Sequence, residues 1–250
     1  MTIALITGAS AGFGAAIAER FLARGVHVIA CARRSDPLHA LADRHPGRVL
    51  PVPLDVTDHA AVRSAIASLP PDFSPIDVLV NNAGLALGLT AAHLADTTEW
   101  DRMIATNCSA LVHVTREVVP GMVARGRGTI VNLGSIAGEF PYPGGNVYGA
   151  TKAFVHQFTQ NLNADLIGTG VRATCIEPGL VGGTEFSLVR FAGDAQRAGS
   201  VYEGTTPLTA EDVAEAVTWV SFLPPHVTIN ALSMMPNCQS FSGMTIKRKG

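Results

Sequence analysis

Seven short apolar runs recur along the chain, at residues 3–7 (IALIT), 26–32 (VHVIACA), 49–56 (VLPVPLDV), 76–84 (IDVLVNNAG), 128–135 (GTIVNLGS), 171–179 (VRATCIEPG) and 227–235 (VTINALSMM). Each is rich in β-branched residues and continuous rather than alternating, the pattern of a strand covered on both faces. Between them lie stretches with helical spacing, such as 14–25 (GAAIAERFLARG) and 211–223 (EDVAEAVTWVSFL). Strand–helix alternation of this kind implies right-handed crossovers and a parallel sheet. The pattern predicts an α/β chain: one domain over residues 1–250, with a doubly wound parallel sheet of seven strands flanked by helices on both faces. One segment departs from the alternation. Residues 182–206 mix glycines, charges and aromatics ahead of a helix whose start is signalled by Thr209-Ala210-Glu211-Asp212. A loop of that length inside a compact domain is expected to be functional, here a lid over a substrate.

Two motifs bring chemistry to this frame. The first strand runs into Gly8-Ala9-Ser10-Ala11-Gly12-Phe13-Gly14 and then a helix. Glycines at a strand-to-helix turn let backbone approach a pyrophosphate, and the helix N-terminus offers unpaired N–H groups and a favourable dipole. The spacing is GxxxGxG rather than GxGxxG, and no GK[ST] follows that would make it a phosphate loop of the nucleotide-hydrolase kind. The second motif places Tyr148 four residues before Lys152 in GGNVYGATKAF, with Ser135 upstream in VNLGSIAGEF. Residues four apart share a helix face, so the ammonium is expected beside the phenol. A free tyrosine has a pKa of about 10, and a neighbouring cation favours the phenolate. The expectation is that Lys152 draws Tyr148 down toward the range useful for proton transfer to or from a carbonyl oxygen.

Bulk properties narrow the field. At 250 residues and 47% hydrophobic, the chain suits one domain with a substantial core. A formal charge of −2 without a polybasic track argues against a nucleic-acid partner. The start MTIALITGAS does not read as a signal peptide, and no apolar run is long enough to span a bilayer. Cys31, Cys108, Cys175 and Cys238 form no CxxC and have no histidine at metal-ligand spacing, so no metal is expected. Cys31 and Cys175 lie in apolar runs and read as buried thiols, in keeping with a cytoplasmic protein.

Taken in order, Thr7-Gly8 to Gly12-x-Gly14, Asp55, Asn81-Asn82-Ala83-Gly84, Asn107, Ser135, Tyr148-x-x-x-Lys152 and Pro178-Gly179 resemble the short-chain dehydrogenase/reductase family over essentially the whole chain. The segments NNAGLALG, YPGGNVYGATKAFVHQF, EPGLVGGTEFSLVRF and LPPHVTINALSMMPNCQSFSG are similar to one branch of it, the NADP-dependent 3-hydroxy acid dehydrogenases acting on serine, L-allo-threonine and malonic semialdehyde. The resemblance implies a Rossmann-like fold, with a dinucleotide-binding part over about 1–130 and a catalytic and substrate part over about 131–250. It implies that Ser135 hydrogen-bonds the substrate oxygen and that Tyr148 is the acid/base. It gives Lys152 the cofactor ribose as well as the phenol, and Asn107 a water on the proton path. It also implies a dinucleotide held by Gly8, Ser10, Ala11, Gly12, Phe13 and Gly14. Asp55 and Val56 would meet the adenine, Asn82 lies near its ribose, Ala83 and Gly84 are further cofactor-binding residues, and Pro178, Gly179, Val181 and Thr184 lie along the nicotinamide.

The second strand ends in Arg33-Arg34, where NAD enzymes place an acid for the ribose 2′-hydroxyl. Arginine pairs instead with a 2′-phosphate, so NADP is the expected cofactor. A hydroxy or oxo acid substrate needs an anchor for its carboxylate, and Arg190 in TEFSLVRF is the candidate, with residues 139–142 as either a further wall of the pocket or a core or interface contact. The expected reaction is reversible oxidation of the C3 hydroxyl of small 3-hydroxy acids or amino acids. A broad carbonyl reductase, a 3-oxoacyl reductase and a non-catalytic NADP-binding sensor stand as alternatives. The resemblance further implies a homotetramer built on helices near 99–125 and 147–166 and on the C-terminal strand and tail, with residues 246–250 solvated.

Overall fold

The computed structural model describes residues 1–240. The solvated tail expected at residues 246–250, and the part of the expected C-terminal contact beyond residue 240, lie outside the described residues. Seven strands form one sheet in the order β3-β2-β1-β4-β5-β6-β7, every neighbouring pair parallel. They are β1 (Ile3–Thr7), β2 (His27–Ala32), β3 (Val49–Pro53), β4 (Val78–Asn81), β5 (Gly128–Leu133), β6 (Val171–Pro178) and β7 (Ala231–Met234). In β1 all five residues are buried. Ala4 and Ile6 enter the core on one side while Ile3 and Leu5 enter the core on the other, which is why the sequence run has no polar alternation.

The helices are α1 (Gly12–Ala23), α2 (Ser35–Arg44), α3 (His59–Ala67), α4 (Thr97–Ile104), α5 (Leu111–Ala124), α6 (Asn146–Asp165), α7 (Phe186–Arg190), α8 (Ala195–Ser200) and α9 (Ala210–Ser221). One face of the sheet packs α1, α2 and α9 through Ile17, Phe21, Leu38, Val213 and Val217. The other packs α3 and α5 through Val62, Val114, Val118 and Met122. Full burial of such a side chain is worth about 1.5–3 kcal/mol, so these two layers dominate the stabilisation. The α9 start is fixed by a capping box: Thr209 N donates to Asp212 Oδ2 at 2.8 Å, and Asp212 N donates back to Thr209 Oγ1 at 3.2 Å.

Three boundaries differ from the sequence expectation. The third strand ends at Pro53 rather than Val56; it is the sheet edge, the place where prolines such as Pro51 and Pro53 are tolerated. The seventh begins only at Ala231. Residues 182–206 are not a plain loop, for they hold the short helices α7 and α8. Winding reverses between β1 and β4, and the crevice outside the carboxyl ends of those strands is where open sheets of this type bind ligands.

Candidate active site

The crevice opens as a cleft of about 630 Å³. Its floor is the turn after β1. Gly8 (φ 70°) and Gly12 (φ 53°) adopt the left-handed backbone that only glycine takes without strain, and a Cβ on Gly8 would stand 2.8 Å from Asn82 Nδ2. Gly14 does not line the cleft; a Cβ there would strike the Gly8 carbonyl, so this glycine brings α1 against the turn. Ala11 caps α1 without a side-chain hydrogen bond, and the first turn holds no acid. Its N–H groups are therefore suited to an anion.

The turn is stitched to β4 by two residues. Asn82 N and Ala83 N both donate to Thr7 Oγ1 at 3.0 Å, and Asn82 Nδ2 donates to the Thr7 carbonyl at 2.8 Å. Asn82 thus spends its amide on holding the turn while also lining the cleft. Thr7, which opens the sequence motif but is given no role there, is part of the same brace. Arg33, Arg34, Asp55 and Val56 form one end of the cleft, and Tyr148 and Lys152 the other. Asp55 Oδ1 accepts from Thr57 N at 2.9 Å and from Thr57 Oγ1 at 2.7 Å, which holds its carboxyl below the usual range. These residues fit a nicotinamide dinucleotide: glycines where backbone must approach closely, open N–H groups at mid-cleft, and guanidinium groups at the far end.

Tyr148 and Lys152 lie at the start of α6, both buried, with the ammonium 5.8 Å from the centre of the phenol ring. The expected neighbours are brought together, but the expected tuning is not observed. Burial pushes the Tyr148 phenol up to about 12, outweighing a hydrogen bond from Ser135 and the charge of Arg190, which draw it down. Lys152 Nζ is committed to the Leu133 carbonyl at 2.7 Å. Burial brings Lys152 down to about 8. Low dielectric disfavours both charged forms, so the phenol keeps its proton near neutral pH and is poised as an acid.

Unfolded, the Lys152 ammonium titrates near 10.5; folded, near 8. Between those values the unfolded chain binds more protons, so this group makes stability rise with pH across that window. Relative to Lys152→Met, wild type should gain about 3 kcal/mol from pH 7 to 10.5, read from denaturant unfolding at each pH. A flat difference across the window would contradict the assignment.

Asn107 lies in a π-helical segment, Ala105–Ala110, between α4 and α5. Its Oδ1 accepts from Leu85 N at 2.9 Å, and its Nδ2 donates to the Leu85 carbonyl at 2.9 Å and to Thr151 Oγ1 at 3.0 Å. The side chain clamps the segment following β4 to α6, and a Cβ on Gly84 would stand 3.3 Å from Asn107 Oδ1 and 3.6 Å from Lys152 Nζ, so both polar atoms lie beside this glycine.

A second cavity of about 290 Å³ adjoins the first at Tyr148 and holds Ser135, Pro178, Gly179, Val181 and Thr184. Arg190 reaches it. Its Nη2 donates to Tyr142 Oη at 2.5 Å and its Nε to the Gly88 carbonyl at 3.3 Å, while the guanidinium stands 5.3 Å from the Tyr142 ring and 5.5 Å from the Tyr148 ring. Of residues 139–142, Phe140 and Tyr142 line this cavity and Glu139 and Pro141 do not. Phe186, Tyr202 and Gln239, which sequence spacing did not single out, line it too. Folding also gathers His156, Cys175 and Glu177, which spacing along the chain does not reveal. His156 Nδ1 and Glu177 Oε1 are already hydrogen-bonded at 2.5 Å, closer than two tetrahedral ligands of one zinc, which stand about 3.4 Å apart. Cys31, Cys108 and Cys175 are buried and free, and Cys238 is exposed. Among the described residues no helix is long and apolar enough to cross a membrane.

A dinucleotide-sized cleft meeting a buried phenol–ammonium pair is the site of a nicotinamide-dependent oxidoreductase. The chain belongs to the short chain dehydrogenase family, whose model matches residues 2–192. It is 58% identical over 246 residues to an NADP-dependent 3-hydroxy acid dehydrogenase of Salmonella typhi, covering 98% of this chain and 99% of the other. It is 45% identical to a serine 3-dehydrogenase of Rhizobium radiobacter, with 98% of each chain covered. Among solved structures it matches the closed form of a serine dehydrogenase complexed with NADP⁺ at a TM-score of 0.98 and 55% identity, over 99% of this chain and 100% of that one.

Proposed function

We propose that the protein is an NADP-dependent dehydrogenase that interconverts the C3 hydroxyl of small 3-hydroxy acids or amino acids, such as serine, L-allo-threonine and 3-hydroxyisobutyrate, with the 3-oxo acid, malonic semialdehyde being the simplest product. The observation that carries this reading is the meeting of Arg190 with Ser135 and Tyr148 in one small cavity at the end of the dinucleotide cleft. A bound nicotinamide supplies the hydride acceptor or donor there. Ser135 and Tyr148 hold the substrate oxygen, and Tyr148 passes the proton. Lys152 fixes the ribose and keeps positive charge beside the phenol. Arg190 pairs with the carboxylate. Asn107 steadies the α6 side of the proton path.

The dinucleotide is proposed to lie along the part before about residue 130, with the adenine at Asp55 and Val56 and the 2′-phosphate at the end of the cleft that Arg33 and Arg34 line, paired with Arg33. Both arginines are exposed, so solvent screens each contact. Arg33→Asp should therefore lower kcat/KM for NADP by about 10- to 100-fold and change the value for NAD by less than threefold. Equal losses with both cofactors would move the phosphate elsewhere. The remainder, from about 131, is proposed as the catalytic and substrate part, with 182–206 as its lid.

Parallel assays of serine, L-allo-threonine, 3-hydroxypropionate and an acetoacetyl thioester, each with NADP and NAD, test the substrate reading. Best turnover of the thioester would favour the 3-oxoacyl reductase alternative, and binding without turnover the sensor alternative. The homotetramer is proposed to use α5 and α6, where Phe154 is exposed and stacks on Phe158 at 5.9 Å. Free buried thiols suit a cytoplasmic setting.

A further inference from the structure

Arg34 and Glu185 are 151 residues apart, yet they face each other across the cleft. Arg34 follows β2 and precedes α2; Glu185 precedes α7, at the start of the lid. The guanidinium Nη1 donates to Glu185 Oε1 at 3.1 Å and Nη2 to Oε2 at 2.8 Å, the two-pronged geometry that arginine offers a carboxylate. Nε and Nη2 also donate to Ser10 Oγ, at 3.4 and 3.3 Å. One guanidinium therefore ties together three segments: the glycine-rich turn, the end of β2 and the lid. The lid crosses close above the turn, for a Cβ on Gly12 would stand 3.6 Å from Thr184 Cβ. Arg34, Ser10, Gly12 and Glu185 all line the same cleft.

We propose that Glu185 is a cofactor-retaining residue, whose ion pair with Arg34 closes as a clasp over the middle of the bound dinucleotide. The proposal rests on the cleft being the NADP site, and it adds a role for a lid residue that touches neither the substrate nor the reacting carbon. Arg33 lines the same end of the cleft as Arg34, so the 2′-phosphate has a partner that the clasp does not occupy. Both side chains of the pair are about half exposed, at 51% and 53%. An exposed pair is weak. That suits a clasp that must open in every catalytic cycle, and it bounds the effect of removing it to a modest acceleration of release.

The competing reading is that the Glu185 carboxylate only fills the place of the 2′-phosphate on Arg34. The two readings predict opposite results. Release of NADPH and of NADH is followed by stopped-flow fluorescence in wild type and in Glu185→Gln, with thermal unfolding as a check on folding. A clasp acts on the part that both nucleotides share. Glu185→Gln should then speed release of both by a similar factor of about two to five, and raise amide exchange in residues 182–200 of the nucleotide-bound protein. If Glu185→Gln slows NADPH release and leaves NADH unchanged, or alters neither, the proposal is overturned. Wild type that binds neither nucleotide would overturn the cofactor reading beneath it, and that outcome shows before any variant is made.

Discussion

Tyr148→Phe is expected to lower kcat by about 10³-fold while leaving the dissociation constant of NADPH within threefold of wild type. Proton transfer by a positioned side chain contributes about 10²–10⁴ in rate, and the phenol is the group that holds a proton at the junction of the two cavities. The substitution keeps the ring. Contacts with Phe186, edge-on at 5.7 Å, are retained, and the loss to stability is limited to one hydrogen bond with Ser135, about 1 kcal/mol. Single-turnover assays with bound NADPH separate the chemical step from cofactor binding. A rate within tenfold of wild type would mean that another group carries the proton.

The electrostatics of this pair correct the simplest expectation. One helical turn does bring the cation to the phenol, but α6 packs both groups against β5 and away from water. Desolvation then acts on each group alone, whereas their mutual field falls off over 5.8 Å. Lys152 meets this cost by donating to Leu133. It follows that the pair is a proton donor in the form described, and that charges brought near it, such as that of Arg190, shift the phenol more readily than the tyrosine–lysine spacing alone implies.

The sequence made the sheet legible because burial on both faces removes polar alternation from every central strand, as in β1 and β5. The capping box at Thr209 and the tyrosine–lysine spacing were legible for the same reason: each is a local pattern. What escaped was non-local or too short to carry a period. Helices α7 and α8 span five and six residues, under two turns, so no periodicity marks them. The π-helical segment around Asn107 reads as ordinary helix. Tyr142 and Arg190 meet across 48 residues, and Arg34 and Glu185 across 151; only the sheet order brings those segments together. The adjustment of site residues has the same origin. Gly14 and Asn82 belong to the motif, but their atoms are used in shaping the turn.

Arg190→Glu carries the second large expected effect, a fall in kcat/KM of about 10²–10³ for serine. Hydrogen bonds to charged groups contribute about 1.5–3 kcal/mol each, and the new carboxylate adds repulsion toward the acid substrate. The guanidinium is held from several sides: Nη2 on Tyr142, Nε on the Gly88 carbonyl, and the Phe186 ring at 6.0 Å. Gly88 N also donates to the Arg190 carbonyl at 3.0 Å. Nη1 makes no hydrogen bond among the described residues, so it is the edge available to a ligand in the cavity that Ser135 and Tyr148 share. Arg190 has a second influence, since its charge draws the Tyr148 phenol down; losing it slows proton transfer for every substrate. A neutral aldehyde without a carboxylate isolates that part. Reduction of the neutral substrate should fall by less than tenfold in Arg190→Glu, while the acid loses the full amount, and Arg190→Lys should lie between because an ammonium lacks the planar fork. Equal losses for acid and neutral substrates would make Arg190 a brace for Tyr142 and the lid and leave the carboxylate without an anchor.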